Sequence, residues 1–591
     1  MSVIDTLRSL RIRFFLFNAA MLSPAALVAQ SLGGVAVPCK GQIISRIEVS
    51  TRPPFEIRGS RFQRRLTRQL TELHATTNPE VIDRFLALRP GMACSELRRV
   101  ESERILRAQP YLADATITAM LDDAGGVFLS VVTQDEISIV LGGGGSGSNP
   151  FVKLIRLGEQ NFMGEAISVV GQWRYSEHFR DNFNAQITDY QFLGRPYQLS
   201  LQGARNELGG VWGVELSHPF LSDLQKVSWR TTAGSREEYR YFRGPDLGPA
   251  RELPDRSFPA VGLQRSYGDV GGVVRLGPPG GQLVLLGGSA SYEDEMPNSF
   301  PTMVGLGTTQ RDTIGLLVDR YARHKSVRLN ALAGFRHVSY IQATGFESLD
   351  GRQDMRKGVE LATLLGRGYE ALGSQDADLF ASANLYVGTG TPLAFAAFEG
   401  TLEGRREYES NRWDGILGSS RFATYIKPAV RHTILTSFEW GGGWRQRIPF
   451  QLLLADRTGG PRGYARSSLG GGQRFVLRFE DRIFLGRLKS LASVGVAPFT
   501  DLAKVYAGDS PFGVTSGINA SVGISILASV PPKSQRMWKL DVAFPLNRSH
   551  GAQFKVSLLN RDFTSVFWRE PADVRHNRER SVPTSIFNWP N

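Results

Sequence analysis

From about residue 137 to about residue 570, apolar and polar residues alternate in segments that Gly, Asn, Asp and Pro separate. In Trp538–Phe544, for example, large apolar side chains alternate with Lys539, Asp541 and Ala543. A period of two gives each strand one apolar and one polar face. The pattern therefore predicts a long all-β region. A membrane β-barrel and a soluble β-sandwich or propeller share this period, so periodicity leaves the two open.

The first quarter of the chain predicts a small mixed domain at residues 40–136. Its expected elements, in chain order, are a strand at Ile43–Val49, helices that begin after Asn78 and near Ser95, and two strands at 115–121 and 127–131. Proline directly after an asparagine is a common helix start, because proline has no amide hydrogen to leave unpaired there. The expected order is β-α-α-β-β.

Residues 1–36 have the pattern of a secretory signal peptide. Three arginines within the first 13 residues precede an apolar run that ends near Ala29. This run is too short and too rich in Ala, Ser and Pro for a membrane-spanning helix. Cleavage after Ala29 and after Ala36 both stay open. No later stretch offers about 18 uninterrupted apolar residues, so a mature protein in a membrane would be a closed barrel.

Composition narrows the classes of protein and of partner. The chain has 591 residues, of which only 41% are hydrophobic and 64 are glycine, which argues against one large α/β core. The net charge is +13, but Arg and Glu alternate along the strands, which favours a charged lumen or a solvated surface over nucleic-acid binding. Cys39 and Cys94 are the only cysteines. They form either a disulfide or two buried thiols, and they are too few for a metal framework.

The glycine-rich stretch Gly459–Gly472 lies between two predicted strands and contains Arg462, Gly463 and Tyr464. A glycine lets the backbone turn sharply beside a wall, and a tyrosine adds stacking area. A guanidinium donates a forked pair of hydrogen bonds to a carboxylate. We therefore expect Arg462 to be either a latch inside a lumen or the solvent-exposed tip of a hairpin.

Several short motifs together resemble the outer-membrane barrels with POTRA domains, of the BamA and TamA type. The barrel motifs are GEQNFMG at 158–164, Arg-Gly-Tyr at 462–464, FTDLAKVY at 499–506 and WKLDVAFPL at 538–546. The small domain, with VIDRFLALRPG at 81–91 and RILRAQPYLADATI at 104–117, is similar to a single POTRA domain with an insertion at 51–76. The resemblance carries more weight than any one motif, because the motifs occur in the order of the family.

The predicted organisation is a signal peptide at 1–36, a periplasmic POTRA-like domain at 40–136, an outer-membrane β-barrel at 137–570 and a tail at 571–591. The resemblance implies about 16 antiparallel strands, five of them after the Arg-Gly-Tyr loop. A strict count of alternating segments exceeds 16, although a bulged strand can be counted twice. Ala503, where the family usually has glycine, and the tail both depart from the family pattern.

The resemblance also assigns roles to particular residues. Arg462, Gly463 and Tyr464 would form a latch in the lumen, and its wall partners would be Glu480 and Asp501, which lie in predicted strands after the loop.

The first barrel strand would include a run of glycines, Gly142, Gly143, Gly144 and Gly145. This run is either a flexible linker or a strand whose register no side chain holds in place. In the second case, its pairing with the last strand, near 553–568, would be a weak seam that opens sideways.

The implied function is assembly or insertion of outer-membrane proteins, or protein translocation, through a barrel with such a seam and an inward-folded loop. The expected partners are unfolded client proteins, outer-membrane lipid and lipopolysaccharide, and periplasmic accessory proteins or chaperones. No nucleic acid, cofactor or metal is expected. The sequence contains no Gly-x-Ser-x-Gly, His-Glu-x-x-His or P-loop motif, so we expect no catalytic residues. A passive porin or channel is the alternative, and a barrel-embedded lipid hydrolase is a weaker one.

Overall fold

The structure, a computed structural model, describes residues 35–55, 74–122, 125–145, 152–176, 180–206, 208–242, 258–297, 302–305, 308–311, 323–375, 377–408, 411–446, 450–455, 459–464, 469–489, 491–547, 555–561 and 570–578. The predicted signal peptide lies outside the described residues, apart from 35 and 36. Residues 56–73 of the predicted insertion and the tail beyond 578 also lie outside them.

Residues 40–135 form a four-stranded sheet and two helices. The elements are β1 (Lys40–Arg52), α1 (Pro79–Arg84), β2 (Ala93–Ser95), α2 (Glu96–Arg107), β3 (Leu112–Leu121) and β4 (Val127–Asp135). The strand order is β2-β1-β4-β3, in which β1 and β4 are parallel and the outer pairs are antiparallel. Pro79 is the first residue of α1, as expected, and Val81 and Ile82 of this helix are buried in the core of the domain.

The short strand β2 adds one element to the predicted order. Three residues are too few for a two-residue period to show, and β2 becomes visible only through its antiparallel pairing with β1. Cys94 lies in β2 and forms a disulfide with Cys39, one residue before β1. The disulfide therefore ties the start of the first strand to the start of α2.

Residues 139–561 contribute to one closed antiparallel barrel. Its first segments are β5 (Ile139–Gly145), β6 (Val152–Glu159), β7 (Ile167–Arg174), β8 (Asn182–Asp189), β9 (Gln198–Arg205), β10 (Gly210–His218), β11 (Val227–Tyr241), β12 (Phe258–Leu276), β13 (Leu283–Pro297), β14 (Thr302–Gly305) and β15 (Thr308–Arg311). The next are β16 (His324–Thr344), β17 (Arg352–Gly368), β18 (Asp378–Gly390), β19 (Ala394–Glu407), β20 (Trp413–Ala429) and β21 (His432–Trp444).

A loop with its own two-stranded pairing, β22 (Leu452–Leu453) with β23 (Gly470–Gly471), follows β21. The wall then continues with β24 (Gln473–Leu488), β25 (Ala492–Tyr506), β26 (Asn519–Ser529), β27 (Met537–Pro545) and β28 (Lys555–Arg561). These are the five strands expected after the loop. A short helix, α3 (Ala572–Asn577), comes last.

The strand number is higher than the expected value of about 16. The described residues supply 22 segments to the closed sheet, and the number still exceeds 16 when the short segments β14 and β15 are set aside. Those two form a hairpin that continues beyond β13 along β12. The strict count of alternating segments was the better guide, because each segment carries its own period, whereas the value of 16 came from the resemblance.

The wall has charged residues inside and apolar residues outside. On β16, Arg328 and Arg336 are buried, whereas the neighbouring Leu329 and Phe335 are exposed on the other face. Arg328 Nε donates to Asp378 Oδ1 on β18 at 2.9 Å. This is the polarity of a barrel whose outer face contacts lipid, and a soluble sandwich would have the reverse. Among the described residues, no helix has the length and apolar character needed to cross a membrane.

The small domain lies against one rim of the barrel. Arg107 on α2 donates to both carboxylate oxygens of Asp354 on β17, at 2.8 and 2.9 Å. Arg104, one turn earlier, donates to the carbonyl of Leu221 in the β10–β11 turn at 3.0 Å, and its guanidinium lies 4.4 Å from the centre of the Tyr340 ring. Helix α2 therefore contacts separate parts of the same rim, and we call this rim the domain-side mouth.

Candidate functional site

The glycine-rich loop folds into the barrel, and at two positions its backbone conformation favours glycine. Gly460 has φ +83°, and a Cβ there would lie 2.2 Å from the carbonyl oxygen of Leu454. Gly463 has φ +89°, and its Cβ would lie 3.2 Å from Pro545 Cδ on the wall strand β27. Both positions need a left-handed backbone beside a close neighbour, which favours glycine.

Wall carboxylates hold Arg462 within this loop. Its Nε and Nη2 donate to the two oxygens of Asp501 on β25, at 2.8 and 2.6 Å, and its Nη1 donates to Glu480 on β24 at 3.1 Å. The backbone amide of Arg462 also donates to Asp501, at 3.0 Å. The guanidinium lies 3.3 Å from the centre of the Phe499 ring. A lysine could not make this forked contact.

The contacts of Arg462 belong to a larger buried cluster of charged side chains. Glu480 accepts a hydrogen bond from Arg482 Nε at 2.7 Å and forms an ion pair with Lys539. Asp541 Oδ1 lies 4.0 Å from Arg462 Nη1. The cluster thus brings the cations Arg462, Arg482 and Lys539 together with the carboxylates Glu480, Asp501 and Asp541, and it continues from Arg482 to Glu347 at 3.9 Å. Loss of one member would leave a buried charge uncompensated.

Electrostatics keep the loop arginine charged. Burial by itself lowers the pKa of Arg462, because it removes water from the guanidinium. The hydrogen bonds and the charge of Asp501, together with the charge of Glu480, outweigh burial and raise this pKa above its ordinary value. The attraction between loop and wall therefore persists throughout the physiological pH range.

Tyr464 is buried, and its role differs from the stacking suggested by its sequence position. Its hydroxyl donates to the carbonyl of Ala520 at 2.8 Å. Its ring belongs to an apolar cluster that includes Leu454 and Ala503. The aromatic ring stacked on Arg462 is that of Phe499. Ala503, which departs from the family pattern, is accommodated within this cluster.

Sequence reasoning missed three charged members of the cluster, Arg482, Lys539 and Asp541. A signal for them was present, because Glu480 and Arg482 are two residues apart, as are Lys539 and Asp541. Residues two apart on a strand point to the same face. Charged residues at this spacing on an otherwise apolar strand mark the face that points into the lumen.

The run of glycines lies in β5. Gly142, Gly143 and Gly144 pair with Arg156, Ile155 and Leu154 of β6, and the register shifts before Gly145. On its other side, β5 neighbours β28, where the barrel closes. β5 and β28 each have seven residues. Within the described part of the wall, only the hairpin segments β14 and β15 are shorter.

The GEQNFMG turn contacts the small domain. Asn161 Nδ2 donates to Thr77 Oγ1 at 2.8 Å, and Asn161 Oδ1 accepts from the amide of Ala166 at 2.9 Å. The carbonyl of Gly164 accepts from the amide of Asn78 at 3.0 Å. Asn161 therefore holds the shape of the turn and also joins the barrel to Thr77, two residues before α1, while Gly164 binds Asn78 directly before the helix.

The outer edge of β3, where a client strand could pair by edge addition, is partly occupied. The carbonyl of Ala119 accepts from the amide of Val37 at 2.9 Å. The carbonyl of Ile117 accepts from Arg99 at 2.6 Å, and that of Ala115 accepts from Arg107 at 3.2 Å. A strand that paired with β3 would have to displace these groups.

Glu136 lies buried where β4 leads to the barrel. It accepts a hydrogen bond from Ser534 in the β26–β27 turn. Arg536 of the same turn donates to the carbonyls of Pro110 and Ile137, at 2.6 and 3.1 Å. Burial raises the pKa of Glu136 to about 7, although the charge of Arg536 and the hydrogen bond of Ser534 oppose the rise. This carboxyl group therefore titrates near neutral pH.

The described residues contain no group of three or more His, Cys, Asp or Glu side chains that could hold a metal ion. The site consists instead of one inward loop, a buried cluster of wall charges of both signs and a glycine-rich first strand. It supplies a fixed cation and fixed carboxylates to the lumen.

The fold is thus a closed antiparallel barrel with a small mixed domain at one rim, and its site is a loop held inside the lumen. No protein-family model matches the chain, and a search of the curated proteins finds no match.

Solved structures with a similar fold include BamA from Haemophilus ducreyi lacking POTRA domains 1–3, at 12% identity and TM-score 0.36, covering 88% of this chain and 84% of that one. CdiB from Escherichia coli matches at 11% identity and TM-score 0.40, covering 88% and 75%. The alcaligin outer-membrane receptor FauA from Bordetella pertussis matches at 9% identity and TM-score 0.30, covering 74% and 68%.

Proposed function

We propose that this protein inserts other proteins into the outer membrane or translocates them across it. The carrying observation is the inward loop, whose Arg462 donates hydrogen bonds to Asp501 and Glu480 within a buried cluster of opposite charges. A machine that handles polypeptides benefits from such a loop, because it gives the interior a defined shape next to the strands that close the barrel.

The proposed organisation is a periplasmic POTRA-like domain at 40–136, an outer-membrane barrel at 137–570 and a tail at 571–591. The apolar outer face of the wall supports contact with lipid and lipopolysaccharide. The domain-side mouth would face the periplasm, where clients, accessory proteins or chaperones would first meet the small domain. In this proposal the protein catalyses no reaction.

The proposed exit is the β5–β28 seam. Glycines hold strand register weakly, because they offer no side chains to pack against cross-strand neighbours. Gly142, Gly143 and Gly144 lie in the wall strand β5, which neighbours β28 where the barrel closes. This junction would therefore part before pairings that side chains hold in register. A client strand could then pair with the freed edge.

Depletion of the protein in its native host, followed by comparison of the outer-membrane and secreted proteomes, tests this function. Loss of many barrel proteins would identify a general insertase, and loss of one exported protein would identify a dedicated transporter. Complementation with Arg462→Ala should fail in either case, whereas Arg487→Ala, a matched arginine on the exposed end of β24, should restore function. Unchanged proteomes after depletion would refute the proposal and favour a passive channel.

A further inference from the structure

The C-terminal segment lies inside the barrel, although it follows the last wall strand. Residues 570–578, with α3 at their centre, contact inward-facing side chains of several strands. One of these is Arg240, which donates to Asn577 from near the last residue of β11. The other end of β11 leads to the turn that contacts α2. The segment therefore lies toward the end of the lumen opposite the domain-side mouth.

One side of the lumen holds this segment through both its side chains and its backbone. Arg236 Nη1 on β11 lies 2.9 Å from His576 Nδ1, and Glu238 accepts a hydrogen bond from Nε2 of the same imidazole. Arg265 on β12 donates to the carbonyls of His576 and Arg578, at 3.4 and 3.0 Å. Main-chain carbonyls are common to every polypeptide, so this part of the contact does not depend on side-chain identity.

The other side of the lumen holds the segment through a carboxylate. Arg474 on β24 donates to both oxygens of Asp573, at 2.6 and 3.1 Å, and the Arg474 side chain is only 3% exposed. By strand order, β11 and β24 lie almost half the circumference apart. Because the segment contacts both strands, it spans the lumen from one side to the other.

Further contacts fill the space between these two sides. Arg578 Nη1 donates to Glu403 on β19 at 2.7 Å. Val574 is fully buried in a small apolar cluster with Leu417, Phe450 and Leu452. A Cβ at Gly441 on β21 would lie 3.0 Å from Val574 Cγ2, so the segment also packs directly against the wall. A segment that lay in the lumen without specific contacts would not bury an apolar side chain and also pair its charged groups with several strands.

We propose that residues 570–578 are a plug, which the lumen binds as a polypeptide ligand. The tract that holds them, defined by Arg236, Arg265, Glu403 and Arg474, is a binding site for a charged polypeptide segment. The plug closes the lumen at the end away from the small domain and leaves when a competing segment occupies the tract. This inference goes beyond the proposed function. It can be tested by measuring conductance, and that measurement needs no client protein.

The first experiment records ionic current through the purified protein in planar lipid bilayers. A chain that ends at residue 569 should pass a sustained current, whereas a chain that ends at Arg578 should remain as closed as the full chain. A synthetic peptide of residues 570–578, added to the shorter chain, should abolish the current, and a scrambled peptide of the same composition should not. Equal currents from the two truncated chains, each shown to be folded by heat-modifiable gel migration, would overturn the proposal.

A second set of variants keeps the full chain, in case the shorter one fails to fold. Asp573→Arg should open the lumen, and Arg474→Asp in the same chain should close it again by restoring an ion pair of opposite sense. A disulfide between Gly441→Cys and Val574→Cys in the Asp573→Arg chain should close the lumen until reductant is added. Asp573→Arg alone, treated with the same reductant, controls for reduction of Cys39. A current that neither the restored ion pair nor the added disulfide reduces would exclude a plug.

Discussion

Replacement of Arg462 by alanine tests the latch most directly. The substitution removes the side-chain hydrogen bonds to Asp501 and Glu480 and leaves the buried cluster one positive charge short. Each charge-assisted hydrogen bond contributes about 1.5–3 kcal/mol, but contributions within one cluster do not add. The cost of breaking a buried pair, about 3–5 kcal/mol, is therefore the better guide. Local opening of the loop should become about 100 to 4,000 times more frequent.

Amide hydrogen exchange in the folded, membrane-embedded protein measures this opening. The backbone amide of residue 462 donates to Asp501, and alanine retains that amide, so exchange at this position reports on the loop itself. We expect exchange there to accelerate by the factor given above, while amides in β16 and β17 stay protected. Arg462→Lys should fall between alanine and the native residue, because it restores the charge without the forked contact.

The matched control is Arg487→Ala on β24, the strand that also carries Glu480. Arg487 pairs with Asp350 at the rim, and its side chain is 47% exposed, so its loss should cost under about 1 kcal/mol. If Arg462→Ala changed loop exchange by no more than Arg487→Ala does, the charge cluster would not hold the loop. The glycine turns and the packing of Tyr464 would then be sufficient.

Three further predictions concern the small domain and its junction with the barrel. The pKa of Glu136 is about 7 in the folded chain, and its ordinary value is 4.5. Between these two pH values the folded state therefore holds a proton on Glu136 that the unfolded state has lost. Its contribution to stability is fully present below pH 4.5 and lost as pH rises through about 7, in total about 3 kcal/mol. In thermal unfolding, Glu136→Gln should match the native chain at pH 4 and exceed it at pH 8, and parallel pH profiles would contradict this. Arg107→Ala should weaken the contact of α2 with the barrel by about 3–5 kcal/mol, measured as faster exchange of the α2 amides. In a double-mutant cycle with Asp354→Ala the two effects should be strongly non-additive. Additive effects would show that the two residues act independently and would contradict the prediction. Loss of the Cys39–Cys94 disulfide, which spans 55 residues, should destabilise the small domain by about 4 kcal/mol in denaturant unfolding, and an unchanged midpoint would be inconsistent with this estimate.

Much of the latch was accessible from sequence, and the reason is local. Gly460 and Gly463 adopt left-handed turns that depend mainly on the residues beside them. Glu480 and Asp501 were placed by the resemblance, and each lies on an inward face set by the two-residue period of its strand. Phe499 shares the face of Asp501 for the same reason, yet its stacking on Arg462 depends on how deeply the loop enters.

The full membership of the charge cluster could not be predicted in this way. Lys539 and Asp541 show their shared face in the sequence, but their distance from Glu480 and Arg462 depends on how β27 is staggered against β24 across the intervening strands. Stagger is a property of the closed sheet. The strand number is a similar case, because it follows from which strands pair around the closed wall, as when β13 pairs directly with β16 past the short hairpin of β14 and β15.

Periodicity along the chain was enough to predict a long all-β region after a small mixed domain, because alternation and helix starts involve residues that are neighbours in sequence. The plug could not have been found in that way. Its contacts join Asp573 to Arg474 and His576 to Arg236, pairs separated by about 100 and 340 positions. Charged residues so far apart in sequence come together only when the wall forms around residues 570–578. No local sequence pattern indicates that this segment enters the lumen.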